Sequence, residues 1–300
     1  MKNVHSAVKG GARYKTTHAG TEMGSVQLKI SNMEESVEFY TRVIGLEVLN
    51  RYHGLVRLTA DGIHPLIVLE EIADAIIMPE QSCAGLYHFA LLVPTRRDLG
   101  LVLRHLLDLN VQPGSADHDV SEALYLSDQD GNGIEIYWDR PKEDWTMLSS
   151  GEIHMSAEPL NLHSLLGEAG GETWSGMASG TKMGHVHLHV RNVVESEAFY
   201  SRLLGFQPTL HYGPSAVFIS AGGYHHHLGL NIWAGANAPS PPENAVGLSH
   251  YTIVNPDPGH IEEIINELEK QDIAVDTRGD GWYFHDLNGI QVRLTTCPIL

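Results

Sequence analysis

The sequence predicts an α+β chain of four repeated strand–helix–strands modules, and three observations carry that prediction. Residues 23–49, "MGSVQLKISNMEESVEFYTRVIGLEVL", and residues 183–210, "MGHVHLHVRNVVESEAFYSRLLGFQPTL", align without a gap through Gly45 and Gly205, an offset of 160. Asn32/Asn192, Glu35/Glu195, Ser36/Ser196, Phe39/Phe199, Tyr40/Tyr200 and Arg42/Arg202 are identical between them, so the halves are duplicates. Within each half a weaker repeat follows, "GLYHFALLVP" (85–94) answering "GLSHYTIVNP" (247–256). The hydrophobic period switches from two to 3.6 and back inside every repeat, which is the mark of strand, helix and strands in succession.

Taken in order, "VQLKI" and "VHLHV" alternate as strands. Asn32 and Asn192, each with a glutamate three residues on, read as helix N-caps with a capping-box carboxylate. Val37, Tyr40, Val43 and Ile44 recur at helical spacing, and Gly45 ends the helix. "LVRLTA" and "HPLIVLEE" then read as strands, as do "AVFISA" and "HLGLNIW" in the third module. The helices of modules two and four are "RRDLGLVLRHLLDLN" (96–110) and "HIEEIINELEKQD" (260–272), the latter with an apolar stripe of Ile261, Ile264, Ile265 and Leu268. "YLSDQDGNGIEIYW" (125–138) and "YFHDLNGIQVRL" (283–294) close them as turn and strand. The modules lie near 22–72, 84–140, 183–234 and 246–296. Residues 1–21 read as a flexible arm, 22–140 as modules one and two, 141–182 as a linker with a short helix within 158–170, and 183–300 as modules three and four.

Composition narrows the function classes. A formal net charge of −18 repels phosphate backbones and anionic bilayers, so neither nucleic acid nor membrane is an expected partner. The longest apolar runs fall well short of the ~18 residues that read as a transmembrane helix, and the N-terminal residues lack the apolar stretch of a secretory signal. Cys83 and Cys297 match no zinc or redox spacing, which fits a reducing cytoplasm. Nineteen histidines exceed what such a core needs, so position must pick out those that matter.

"FYxRxxG" after the first helix and "DxDGNGIEIYWDRP" at 128–141 resemble the vicinal oxygen chelate superfamily of glyoxalases, bleomycin-resistance proteins and extradiol dioxygenases. The resemblance covers nearly the whole chain outside the arm and linker. With "SEALYLSDQDGNGIEIYWDRP" (121–141) and "YHHHLGLNIW" (224–233), the chain is most similar to the bacterial catechol 2,3-dioxygenase-like branch. That implies βαβββ modules paired into two curved-sheet domains, with a metal held by a first-strand residue from each module of a pair and a last-strand residue. For an extradiol enzyme the set is two histidines and one glutamate on Fe(II), a face with open positions. Mn, Zn and Ni suit related members.

The four first-strand positions carry Ser25, His88, His185 and His250, and the last strands of modules two and four offer Glu135 and Gln291. Modules one and two lack a histidine; modules three and four lack the carboxylate. Only modules two and three supply His88, His185 and Glu135, either within one chain or between chains of a homo-oligomer. The resemblance further implies an acid–base histidine at His226, with His227 the alternative if the strand register differs, and a hydrogen-bonding Tyr125. His118 is a further candidate beside the substrate, and His187, Trp233 and Tyr137 are expected to line the cavity.

The implied activity is ring cleavage of a small aromatic diol by O₂. A glyoxalase-type isomerase or lyase, and a non-catalytic protein that binds an aromatic ligand, are the competing readings. His53, His105, His154, His163, His211, His260 and His285 read as structural or surface residues, and His250 with Gln291 as a relic or second site.

Overall fold

The computed structural model describes residues 16–297. Module one comprises β1 (Glu22–Ile30), α1 (Met33–Glu38) running into a π-helical turn at Phe39–Val43, β2 (Glu47–Tyr52), β3 (Leu55–Thr59) and β4 (Pro65–Glu71). Module two comprises β5 (Gly85–Leu92), α2 (Arg96–Asp108), β6 (Gly114–Asp117), β7 (Ser121–Ser127) and β8 (Gly133–Asp139). After α3 (Leu162–Glu168), module three runs through β9 (Lys182–His189), α4 (Val193–Leu203), β10 (Gln207–Tyr212), β11 (Ala216–Ser220) and β12 (Leu228–Asn231). Module four is β13 (Gly247–Val254), α5 (Pro258–Lys270), β14 (Asp276–Arg278), β15 (Gly281–His285) and β16 (Gln291–Thr295).

Local chemistry sets the helix ends. Asn32 and Asn192 accept the amide of the third residue on, at 3.1 and 3.2 Å, satisfying a backbone donor that the first turn leaves open. Asp257 does the same for α5, whose first residue is Pro258, so this helix starts two residues before the expected His260. Gly45 and Gly205 both adopt positive φ, 86° and 81°, where the helices stop.

Two eight-stranded sheets result. One has the order β14-β15-β16-β13-β1-β4-β3-β2 and joins modules four and one; the other, β10-β11-β12-β9-β5-β8-β7-β6, joins modules three and two. The pairing therefore crosses the two halves of the duplication, second module with third and first with last, and it is completed within one chain. Antiparallel β1–β13 and β5–β9 contacts form the two centres.

Alternation along β5, β8 and β9 sends Phe89, Ile134, Ile136, Val186 and Leu188 to one face, where they join Leu28, Ile67 and Tyr251 of the other sheet in a continuous buried cluster. Two tyrosines cross between the sheets. The Tyr40 hydroxyl donates to Asp128 Oδ2 at 2.8 Å, and the Tyr200 hydroxyl donates to Asp286 Oδ2 at 2.8 Å. Asp128 and Asp286 also cap their own turns by accepting backbone amides. The repeated "FY" thus ties each half of the duplication across the sheets.

Residues 1–15 of the expected arm lie outside the described residues, but 16–21 are docked: the Thr17 amide donates to Gly205 O, and Thr17 and Thr21 are buried. The stretch between the halves is also built in. It bridges β6 at Glu158, and α3 lies so close to α2 that a Cβ on Gly100 would meet the Leu165 carbonyl. Among the described residues no helix is long and apolar enough to cross a membrane.

Tyr40→Phe should test the inter-sheet tie. It removes one donor from a buried carboxylate, a loss of about 1–3 kcal/mol. We expect a lower urea midpoint with an unchanged slope; an unchanged midpoint would contradict the tie.

Candidate metal centre

The register of β5 builds the site. Ala90 pairs with Glu135 on β8 at one side and with His185 on β9 at the other. Its methyl group fills little space, so the two longer side chains meet across it. His185 Nε2 donates to Glu135 Oε2 at 3.1 Å, and His88 Nε2 lies 3.0 Å from the same oxygen. The three donor atoms lie within 4.8 Å of one another, and all three residues are buried. His88 Nε2 makes no hydrogen bond despite its closeness to Glu135, and His185 Nδ1 has no partner either.

The electrostatics ask for a cation. Burial pushes the Glu135 carboxyl up, but His185 and then His88 outweigh it and hold the group well below the ordinary carboxylate range. Burial lowers His185 despite the pull of Glu135, so its imidazole is neutral at pH 7. Burial also holds His187 and His226 well below the ordinary histidine value. An ionised carboxylate among neutral imidazoles, with an orphaned ring nitrogen aimed at it, fits a divalent ion of borderline hardness.

A cavity of about 360 Å³ opens onto His88 and Glu135. His187, His226, Tyr125, His118 and Trp233 border it. His118 Nδ1 donates to the Ser156 carbonyl at 2.6 Å, and its Nε2 lies 2.6 Å from the Tyr125 hydroxyl. His226 packs 4.1 Å from the His185 ring and 4.8 Å from Phe218, centroid to centroid.

Two expected residues are placed elsewhere. His227 does not border the cavity; its Nδ1 accepts the Ala221 amide at 3.1 Å. Residues 224–227 precede β12, so strand alternation does not govern them and cannot choose between His226 and His227. Tyr137 is fully buried behind the site, its hydroxyl 2.6 Å from that of Tyr224, and lines no part of the cavity. His189 turns its Nδ1 to Asn231 Oδ1 at 2.7 Å.

Gln291 is not the counterpart of Glu135. Thr252, which takes the place of Ala90 in the first sheet, pairs with Arg293, whereas Gln291 pairs with His250. The turns before β8 and β16 have the same length, Asp128 accepting the amide of Asn132 and Asp286 that of Ile290, but the "NG" pair sits two residues nearer the aspartate in the second, so matching "NGIQ" to "NGIE" shifts the comparison by two residues. Measured from the turn aspartates that accept Tyr40 and Tyr200, Arg293 occupies the carboxylate position. Burial, and then the Arg293 guanidinium, push His250 down to about 4. A buried guanidinium there repels a cation, so the first sheet carries no second copy of the site.

Sequence reasoning missed Tyr87 and the wall formed by Met155, Ser156 and Ala157. A register shift between Leu86 and His88 lets Tyr87 contact the rings of His88, His187 and Trp233. Bulges of this kind leave no periodic trace. The wall belongs to the stretch read as a linker.

Paired βαβββ modules that gather two imidazoles and one carboxylate in a buried pocket define the class of protein. The chain belongs to the Glyoxalase/Bleomycin resistance protein/Dioxygenase superfamily, whose description it matches over residues 22–136 and 182–292. It is 45% identical over 260 residues to a catechol-2,3-dioxygenase of Bacillus subtilis, covering 86% of this chain and 91% of that protein. It is 29% identical over 122 residues to a biphenyl-2,3-diol 1,2-dioxygenase of Rhodococcus globerulus, covering 40% of this chain and 64% of that one. Glyoxalase I from Zea mays shares the fold at a TM-score of 0.52 and 13% identity, with 92% of each chain covered. A crystal structure of a Bacillus subtilis protein does so at 0.64 and 13%, covering 95% of this chain and 87% of that one.

Metal analysis separates the two sheets. Wild-type protein and His250→Ala should each retain one divalent ion per chain through gel filtration, and Glu135→Gln should retain none. An ion kept by Glu135→Gln but lost from His250→Ala would move the centre to the other sheet.

Proposed function

We propose that this chain is a metal-dependent extradiol dioxygenase that cleaves a catechol-like aromatic diol with O₂, using Fe(II) held by His88, His185 and Glu135. The observation that carries the reading is the buried three-donor cluster opening onto a cavity large enough for one ring. Three protein donors leave coordination positions open, whereas glyoxalase-type isomerases use a fuller protein shell, and no fourth donor joins the cluster among the described residues. The same donors would accept Mn, Zn or Ni; iron follows from the dioxygenases the chain resembles. The cysteines are free, consistent with a cytosolic enzyme.

When bound, Fe(II) supplies the open positions and the redox path between diol and dioxygen. The rest is done by side chains. Phe218, Tyr87 and Trp233 offer aromatic walls to the ring. His226, kept neutral by burial, accepts a hydroxyl proton of the diol and later returns it as a general acid. Tyr125, kept protonated by burial and by Glu135, donates to a substrate oxygen, with His118 holding its hydroxyl in place until substrate enters. The triad is complete within one chain, so oligomerisation is not needed to assemble it.

Anaerobically iron-loaded protein mixed with a panel of catechols in air should consume one O₂ per diol and form yellow ring-opened products. His226→Ala should lower kcat by about 10²–10⁴-fold. Iron bound at the three ligands with no oxygen uptake on any diol would overturn the proposal. Oxygen-independent turnover of a thiol–aldehyde adduct by the Ni or Zn form would establish the isomerase reading instead.

A further inference from the structure

Behind His226 lies a run of buried and half-buried polar groups that the proposed chemistry leaves unused. His226 Nδ1 is 2.8 Å from His225 Nδ1, and His225 Nε2 is 2.8 Å from Asp139 Oδ1. The other Asp139 oxygen accepts the Tyr224 hydroxyl at 2.9 Å, and the Tyr137 and Tyr224 hydroxyls are 2.6 Å apart. His225 is fully buried, with the Trp145 ring 5.3 Å away. Asp139 ends the strand that carries Glu135, so one strand bears both the ligand carboxylate and this second one.

Hydrogen-bond direction follows from the groups at the ends. A carboxylate only accepts, so a His225 that carries a single ring proton holds it at Nε2 and its Nδ1 presents a lone pair. The 2.8 Å contact to His226 then requires a proton on His226 Nδ1, since two lone pairs would otherwise face each other. His226 Nε2 is left bare, as an acceptor. We infer that Asp139 and His225 are positioning residues that hold His226 in its Nδ1–H tautomer, leaving Nε2 free to take the hydroxyl proton of an aromatic diol.

The inference rests on the reading of His226 as the proton acceptor in diol cleavage. The step is a simple transfer: the diol O–H breaks, the proton passes to His226 Nε2, and the electron pair stays on the diol oxygen. In a Ser–His–Asp triad, replacing the aspartate by asparagine leaves the geometry intact but sets the wrong tautomer, at a cost of about 10⁴ in kcat. The same logic applies here through one more imidazole.

The test reads tautomers directly, by long-range ¹H–¹⁵N NMR of metal-free protein labelled at histidine, with His226→Gln assigning the resonance. Wild type should show His226 protonated at Nδ1. Asp139→Asn, which presents an amide N–H to His225, should reverse both imidazoles and move the His226 proton to Nε2; Asp139→Glu should restore the wild-type pattern. With iron and a catechol, Asp139→Asn should lose about 10²-fold or more in kcat with little change in KM. A wild-type His226 protonated at Nε2, or an Asp139→Asn spectrum unchanged at His226, would overturn the inference. The wild-type spectrum decides even if the variant fails to fold. Reversal of tautomers in a protein that oxidises no diol would remove the proposed activity and leave the dyad standing.

Discussion

Glu135 is 3% exposed in the middle of an eight-stranded sheet, where an isolated ionised carboxylate costs several kcal/mol. Much of the second sheet can be understood as an answer to that cost. Ala90 clears the space above β5, and His185 and His88 bring polar edges to one carboxylate oxygen. These contacts keep Glu135 ionised while burial keeps His185 neutral, an arrangement whose negative charge a cation would balance. The cluster is thus a site whose stability and function pull the same way once a metal is bound.

The first sheet shows what happens when that constraint is released. Its strands keep the pairing and its helices keep the caps, and Tyr200–Asp286 repeats Tyr40–Asp128 almost atom for atom. Yet Thr252 replaces Ala90 in register and Arg293 replaces Glu135. Arg293 hydrogen-bonds to the Asp280 carbonyl, at 3.2 Å from Nε and 2.9 Å from Nη2, and Tyr283 stacks with Arg278. Duplication preserved the scaffold because the core packing demands it; the concave face was free to change sign.

The parts legible in the sequence are those with period or repetition. The offset between the halves revealed the modules, Asn32 and Asn192 marked helix starts, and complementary gaps in the ligand positions singled out modules two and three. Features that break periodicity were not legible. Tyr87 enters the cavity through a bulge, and His226, not His227, borders the cavity from residues that lie before the strand begins. Arg293 was hidden because the "NG" pair lies two residues nearer the turn aspartate in module four than in module two, although the turns are equal in length. Asp139 and His225 lie far apart in sequence, and only the folded chain brings them together. The stretch read as a linker looked featureless because its role is to close a cavity wall through backbone contacts, such as the Asp117–Glu158 bridge.

The central claim is that modules two and three of one chain make a single metal centre. Anomalous diffraction at the iron edge, from crystals of anaerobically iron-loaded protein, tests it most directly. One peak per chain, bounded by His88, His185 and Glu135, is the expected result. A peak beside His250 and Arg293, or one ligated by residues from two chains, would contradict it.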